Sequence, residues 1–135
     1  MKLLRSYHMS FCIAVLPGDG VGPEVISEAT KILQIVGDKF GHSIQLIYGD
    51  IGGIAIDKLG TPLPEDTIDM CLKADAILFG AVGGPKWDDP KAEVRPENAI
   101  LAIRKKFGLF ANIRPIKVYQ HLLDARSEER RVGKE

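Results

Sequence analysis

The stretch LPGDGVGPEV, residues 16–25, decides how the first part of this chain is organised. An apolar run, FCIAV, stands directly before it, and a segment with helical spacing, ISEATKILQIVG, follows it. The apolar run predicts a buried strand, and Pro23 with Glu24 suits the first turn of a helix. Glycines that open a helix after a strand often bring backbone N–H groups close to a bound anion. A plain tight turn and a ligand-facing loop therefore both remain open for this stretch.

The glycine spacing excludes two familiar nucleotide-binding patterns. Gly18, Gly20 and Gly22 form G-x-G-x-G, whereas the dinucleotide fingerprint requires G-x-G-x-x-G. No Gly-Lys-Ser/Thr follows, as the phosphate-binding P-loop would require. The strand-to-helix turn is thus of a non-Rossmann kind.

Strand-like and helix-like segments alternate along the rest of the chain. The first helix is expected to end near Gly41 and to bury a face made of Val25, Ala29, Ile32, Leu33 and Val36. A short helix closed by Gly60, a helix starting at Pro64 and a helix over 97–107 closed by Gly108 are also predicted. Further strands are expected over SIQLIYGD (43–50), DAILFGAV (75–82, buried) and LFANIRPIKVY (109–119). This alternation predicts an α/β fold with a largely parallel sheet.

Composition excludes several classes of function. The 135 residues hold 18 basic and 18 acidic side chains, and this zero net charge argues against a nucleic-acid partner. No apolar stretch approaches the roughly 20 residues that cross a bilayer, and the start of the sequence lacks the pattern of a signal peptide. The two cysteines form no metal-binding spacing, so we expect two buried thiols in a cytoplasmic protein.

A second glycine-rich turn strengthens the ligand-facing interpretation of the first. GAVGGPKWD follows the strand-like DAILF, so two predicted strands end in glycine-rich loops. In open α/β sheets, ligands collect at the carboxyl ends of the strands. Trp87, the only tryptophan, lies in this second loop, where it either faces a ligand or caps the core.

One predicted helix presents chemistry on a single face. Glu97, Ile100, Leu101 and Arg104 fall at i, i+3, i+4 and i+7, which places a carboxylate, an apolar patch and a guanidinium side by side. Arg114 follows on the next predicted strand, and two arginines would suit a dicarboxylate. The alternatives are that the two apolar residues are ordinary core residues and that Arg104 is solvated.

These segments together resemble a known family. LPGDGVGPEV, GAVGGPKWD and RPENAILAIRKKFGLFANIRPIKVY are similar to the motifs of the 3-isopropylmalate dehydrogenases, which are β-decarboxylating dehydrogenases. Other members of that family act on isocitrate, homoisocitrate or tartrate. The resemblance implies an isopropylmalate/isocitrate dehydrogenase-like α/β fold, non-Rossmann, of which this chain is the N-terminal part over residues 11–125. Residues 1–10 are then an N-terminal extension, and the charged segment 126–135 does not match.

The resemblance also implies roles for particular residues. Arg104 and Arg114 would bind the malate part of 3-isopropylmalate, and Ile100 and Leu101 would meet its isopropyl group. Glu97 would lie between the substrate and the nicotinamide. The segment that would border NAD comprises Gly84, Pro85, Lys86, Trp87, Asp88, Asp89, Pro90, Lys91, Ala92, Glu93, Val94, Arg95, Pro96 and Glu97.

The implied function is oxidative decarboxylation of 3-isopropylmalate with reduction of NAD, a step of leucine biosynthesis. The family's catalytic acid, base and ligands for Mg²⁺ or Mn²⁺ have no counterpart in these 135 residues, so the chain alone is expected to be inactive. The family's complete enzyme is a homodimer. The alternatives are a related dehydrogenase for isocitrate, homoisocitrate or tartrate, and a ligand-binding module without catalysis.

Overall fold

The computed structural model describes residues 8–89 and 91–115. Strands and helices alternate as the sequence predicts. Their bounds are β1 Ser10–Gly18, α1 Gly22–Phe40, β2 Ser43–Tyr48, α2 Gly53–Leu59, α3 Glu65–Lys73, β3 Ala76–Ala81, a single 3₁₀ turn Pro85–Trp87, and α4 Asn98–Lys106. The predicted α/β class is confirmed.

The three strands form one parallel sheet in the order β2-β1-β3. Strand β1 is central, with Ser10 opposite Ser43 on one side and Ile13 opposite Ala76 on the other. Its residues Ala14, Val15 and Leu16 are fully buried. The third strand was expected to be buried, but its residues are mostly half-buried because β3 lies at the edge of the sheet that the structure describes.

Helix α1 begins and ends where the sequence indicates, but it buries a different face. Gly41 closes it in the left-handed conformation, with φ of 73°. The residues that it buries are Gly22, Ile26, Thr30 and Gly37. Of the face predicted from hydrophobicity, Val25, Ile32 and Val36 are exposed instead. Close packing contributes at one point of this face: a Cβ added at Gly37 would lie 3.0 Å from Cδ1 of Ile44 on β2, so only a small residue fits there.

The predicted end of α2 and start of α3 are confirmed, whereas α4 is one residue shorter at each end than the predicted range 97–107. Gly60 closes α2 with φ of 73°, and Pro64 stands just before the first turn of α3, which carries Glu65 and Asp66. Helix α4 packs through Ala99 and Ile103, which join Ala14, Leu16, Ile51 and Cys71 in the core. Cys71 is a buried free thiol and burial raises its pKa, whereas Cys12 is only half-buried.

The strand expected over 109–119 is wrong for the part that the structure describes. Residues 109–115 form neither strand nor helix, and Phe110 and Ile113 are 100% and 85% exposed. No neighbouring strand among the described residues pairs with this segment, and an unpaired extended segment gains no ladder of hydrogen bonds. Residues 116–119 lie outside the described part.

Candidate active site

Three connecting loops meet at the carboxyl end of the sheet. The loop after β1 donates the N–H of Asp19 to the carbonyl oxygen of Ala81 at the end of β3, at 2.7 Å. The link after β2 is tied to β1 by the N–H of Gly49, which donates to Val15 at 3.1 Å. The two glycine-rich loops singled out in the sequence are therefore neighbours, at the edge where α/β sheets bind ligands.

The glycines of the first loop allow the backbones to approach each other closely. Gly18 has φ of 72°, and a Cβ placed there would clash with the carbonyl oxygen of Ala81. A Cβ at Gly22 or Gly80 would clash with the carbonyl oxygen of Pro17. The stretch LPGDGVGPEV thus makes a tight turn in which Gly18 and Gly22 face protein backbone.

The side chain of Asp19 lies at the centre of this junction, and sequence reasoning missed it. It is 4% exposed, and its carboxylate accepts backbone N–H groups from Gly53 at 2.6 Å, Ile54 at 2.7 Å and Gly83 at 2.9 Å. Two of these donors open α2, and the third belongs to the loop after β3. The available signal was an aspartate between two glycines directly after a buried strand, since short acidic side chains there commonly accept backbone N–H groups.

The proposed NAD-bordering segment begins with a loop that is fixed to α2. The ring of Trp87 lies so close to Gly53 that a Cβ there would clash with it. Trp87 Nε1 donates to Asp57 Oδ1 at 3.2 Å, and Lys86 pairs with the same carboxylate while lying 5.2 Å from the centre of the ring. The hydrogen bond from Lys86 is the largest influence on the pKa of Asp57, which is lowered from its ordinary value of 3.8.

A cleft of about 420 Å³ opens beside this tryptophan. Its walls come from the first glycine loop, the link after β2 and α2, and they include Pro17, Gly20, Pro23, Asp50, Ile54 and Trp87. Trp87 is half-buried: its ring lies on Gly53 of α2 and also forms part of the cleft wall, so facing a ligand and capping the core both remain open for it. The segment predicted to border NAD therefore flanks a concave surface.

The rest of that segment leads to α4. Arg95 makes ion pairs with Asp88 at 3.7 Å and with Glu97 at 3.6 Å, and Pro96 is fully buried. A Cβ at Gly83 would lie 2.9 Å from Glu97 Oε1, so this carboxylate lies against the loop after β3. The structure therefore brings the first and last parts of the segment together, and Pro90 lies outside the described residues.

The four residues predicted to share a helix face lie away from the core. Glu97 immediately precedes α4, Leu101 is 67% exposed, Arg104 is exposed and Ile100 is half-buried. Leu101 is therefore not a core residue, and the core positions of this helix are Ala99 and Ile103. Ile100 and Arg104 line a hollow of about 210 Å³ between α4 and β3, together with Ile77, Phe79, Ile103 and Leu109.

Arg114 is not joined to this face by any ion pair or shared hollow within the described residues. It is exposed in the segment after α4, whereas Arg104 lines a second hollow together with residues 109–113. The convergence of the two arginines stays a prediction. No group of three His, Cys, Asp or Glu side chains within the described ranges is arranged to hold a metal ion.

Nearly the whole chain matches a known protein family. The family model for isocitrate/isopropylmalate dehydrogenases matches residues 12–134. The chain belongs to this dehydrogenase family. The matched range includes most of the charged segment 126–135, and the boundary expected after Ala125 stays a prediction.

Curated members of the isocitrate/isopropylmalate dehydrogenase family are similar over most of the chain. A 3-isopropylmalate dehydrogenase of Rhodopirellula baltica is 56% identical over 87% of this chain and 33% of its own length. Those of Bacillus subtilis and Thermotoga maritima are 57% and 59% identical, over 84% and 82% of this chain and 31% and 32% of theirs. The chain therefore spans about a third of the length of these relatives.

Solved structures of the same dehydrogenase family agree on the fold. A β-decarboxylating dehydrogenase of Thermococcus kodakarensis aligns with a TM-score of 0.56 at 34% identity, over 73% of this chain and 27% of that one. An isocitrate dehydrogenase of Methylococcus capsulatus aligns with a TM-score of 0.50 at 28% identity, over 62% and 23%. Among the helices of the described ranges, none has the length and apolarity to cross a membrane.

Proposed function

We propose that this chain supplies the N-terminal third of an NAD-dependent 3-isopropylmalate dehydrogenase. The observation that carries the proposal is the exposed side of α4, where Leu101 and Arg104 follow Glu97. An exposed leucine beside an exposed arginine is suited to a ligand that has both a hydrocarbon branch and carboxylates. The relatives named above, at 56–59% identity, are 3-isopropylmalate dehydrogenases.

The same surface supports 3-isopropylmalate over isocitrate. Isocitrate carries a third carboxylate where 3-isopropylmalate carries its isopropyl group. Ile100 and Leu101 offer this third carboxylate no hydrogen bond. A carboxylate placed against them would lose its hydrating water without compensation. Burying three hydrocarbon groups instead contributes about 2–3 kcal/mol, at roughly 0.8 per carbon, which corresponds to about a hundredfold preference over unbranched malate.

The side chains of segment 84–97 are suited to bind NAD. NAD supplies the hydride acceptor when it is bound. Trp87 offers a flat apolar wall beside the 420 Å³ cleft. Glu97 presents a carboxylate just before α4, against Gly83 of this loop and 3.6 Å from Arg95. We assign the Mg²⁺ or Mn²⁺ ligands, the proton-transferring groups and most of the dimer interface to the two thirds that the relatives have in addition. The complete enzyme is then a cytoplasmic homodimer.

The proposed activity is tested in a chimaera in which a relative supplies the two thirds that this chain lacks. Residues 12–115 are placed in the corresponding part of the Bacillus subtilis relative, and NADH formation is followed with Mg²⁺ and each candidate substrate. We expect turnover with 3-isopropylmalate and far less with isocitrate or tartrate, whereas the 135-residue chain alone should give none. A chimaera that prefers isocitrate, or turnover by the chain alone, would contradict the proposal.

Calorimetry separates this proposal from a binding module without catalysis. A self-sufficient module should bind NAD or a dicarboxylate tightly as the isolated chain. One third of an active site should bind either ligand weakly, because most of the groups that would surround it are absent.

Leu101 provides a specific test of the isopropyl pocket. Leu101→Ala should lower the preference of the chimaera for 3-isopropylmalate over malate by about tenfold, since the alanine removes most of a side-chain contact worth roughly 1.5 kcal/mol or more. The free energy of unfolding should change by less than about 0.5 kcal/mol because the side chain is exposed.

The matched control for this test is Ile103→Ala on the same helix. Ile103 is 7% exposed, so this substitution should lower the free energy of unfolding by about 2–4 kcal/mol and change the preference less than Leu101→Ala does. If Leu101→Ala instead destabilises the protein as Ile103→Ala does, Leu101 belongs to the core and the pocket assignment is wrong.

A further inference from the structure

We propose that Asp19 is a positioning residue that holds the NAD-side loop and, through it, Glu97. The expected effect on NAD binding rests on the proposed function, whereas the positioning of the loop by Asp19 rests on the hydrogen bonds alone. The carboxylate of Asp19 joins three N–H groups that lie 34, 35 and 64 positions further along the chain. One side chain thus ties the loop after β1 to the start of α2 and to the loop after β3.

The environment of Asp19 explains why this anion is tolerated inside the protein. It is 4% exposed, and within the described ranges no ion pair involves it. The three backbone donors, at 2.6–2.9 Å, replace the water that a carboxylate loses on burial. A neutral amide of the same shape could accept fewer of these N–H groups and would place its own donors against them.

Gly83 connects Asp19 to the loop that carries Trp87 and to Glu97. Its N–H donates to Asp19, its φ is 99°, and a Cβ built on it would lie 2.9 Å from Glu97 Oε1. The next residues are Gly84 and the 3₁₀ turn that carries Trp87. Gly53, whose N–H is also held by Asp19, is the residue on which the Trp87 ring lies. Asp19 therefore fixes both surfaces that orient Trp87, as well as the backbone beside Glu97.

The test compares Asp19→Asn with a matched control, Asp75→Asn. Asp75 Oδ2 also accepts a backbone N–H, that of Cys12 at 2.8 Å, but it does so just before β3, away from the carboxyl end of the sheet. Both variants lose a carboxylate that accepts main-chain N–H groups. Only Asp19→Asn should alter Trp87, which is the sole tryptophan of the 135-residue chain and so reports on this loop alone.

We expect the emission of Trp87 in Asp19→Asn to shift to the red and to be quenched more strongly by acrylamide, under conditions where circular dichroism shows a folded chain. Asp75→Asn should leave both properties as in the unchanged protein, whatever it does to stability. Unchanged emission in folded Asp19→Asn, or equal changes in the two variants, would overturn the proposal.

A measurement on the unchanged chain keeps the proposal testable if Asp19→Asn does not fold. The amides of Gly53, Ile54 and Gly83 should exchange their hydrogens slowly and as one group, because the same carboxylate holds them. Fast exchange at Gly83 with slow exchange at Gly53 would show that the loop after β3 is not held, and would overturn the inference.

The effect of Asp19→Asn on activity is measured in the chimaera. Asp19→Asn should raise KM for NAD about tenfold, a loss equal to one charge-assisted hydrogen bond, and change KM for 3-isopropylmalate much less. If the unchanged chimaera uses neither ligand, the proposed function fails while the fluorescence result still decides the role of Asp19. If the chimaera is active and KM for NAD is unaffected, Asp19 is structural only.

Discussion

Gly18→Ala should lower the free energy of unfolding by more than about 3 kcal/mol, a large share of the 5–15 kcal/mol typical of a domain. Two effects add. The left-handed conformation, with φ of 72°, costs a non-glycine residue roughly 1–2 kcal/mol. In addition, the new Cβ would lie closer than 3.0 Å to the carbonyl of Ala81, which also accepts the N–H of Asp19 and is therefore not free to move. The measurement is urea denaturation followed by circular dichroism.

Gly60→Ala is the matched control for Gly18→Ala. Gly60 closes α2 with φ of 73°, but a Cβ there would meet nothing within 4 Å. This substitution should therefore carry only the conformational cost of about 1–2 kcal/mol. The difference between the two variants isolates the steric overlap at the junction of β1 and β3. Equal losses would show that the two backbones are not in close contact at Gly18.

The local features of the fold were accessible from the sequence. Strand β1, the start of α1 with Pro23 in its first turn and the closure of α2 by Gly60 all depend on the intrinsic preferences of a few adjacent residues. The meeting of the two glycine-rich loops also follows from the sequence, since parallel strands place their carboxyl ends at one edge. These predictions needed no knowledge of which distant residues come into contact.

The features that were missed depend on such contacts. Hydrophobic spacing favoured Val25, Ile32 and Val36 as the buried face of α1, yet these three residues are exposed and the helix packs closely on Ile44 of β2 at Gly37, where a Cβ would lie only 3.0 Å from that side chain. The role of Asp19 depends on a donor 64 positions away, which no local pattern can indicate.

Arg104→Gln should reduce kcat/KM for 3-isopropylmalate about a hundredfold in the chimaera. Arg104 is exposed on α4 and forms part of the wall of two hollows, and its guanidinium makes no ion pair with any described residue. A guanidinium can form two parallel hydrogen bonds with one carboxylate, and a hydrogen bond to a charged group contributes about 1.5–3 kcal/mol. Losing about 2.7 kcal/mol corresponds to a hundredfold.

Lys105→Gln removes one positive charge from the next position of the same helix turn and is the control for Arg104→Gln. Lys105 is exposed, and it is displaced from the face shared by Glu97, Leu101 and Arg104. This variant should keep kcat/KM within about twofold, since a solvated charge without a direct contact acts only through a screened field. Arg104→Lys should recover part of the loss, because the ammonium keeps the charge but not the paired hydrogen bonds. Equal losses from Arg104→Gln and Lys105→Gln would mean that the helix attracts the dicarboxylate by its overall charge, and that Arg104 does not grip the substrate.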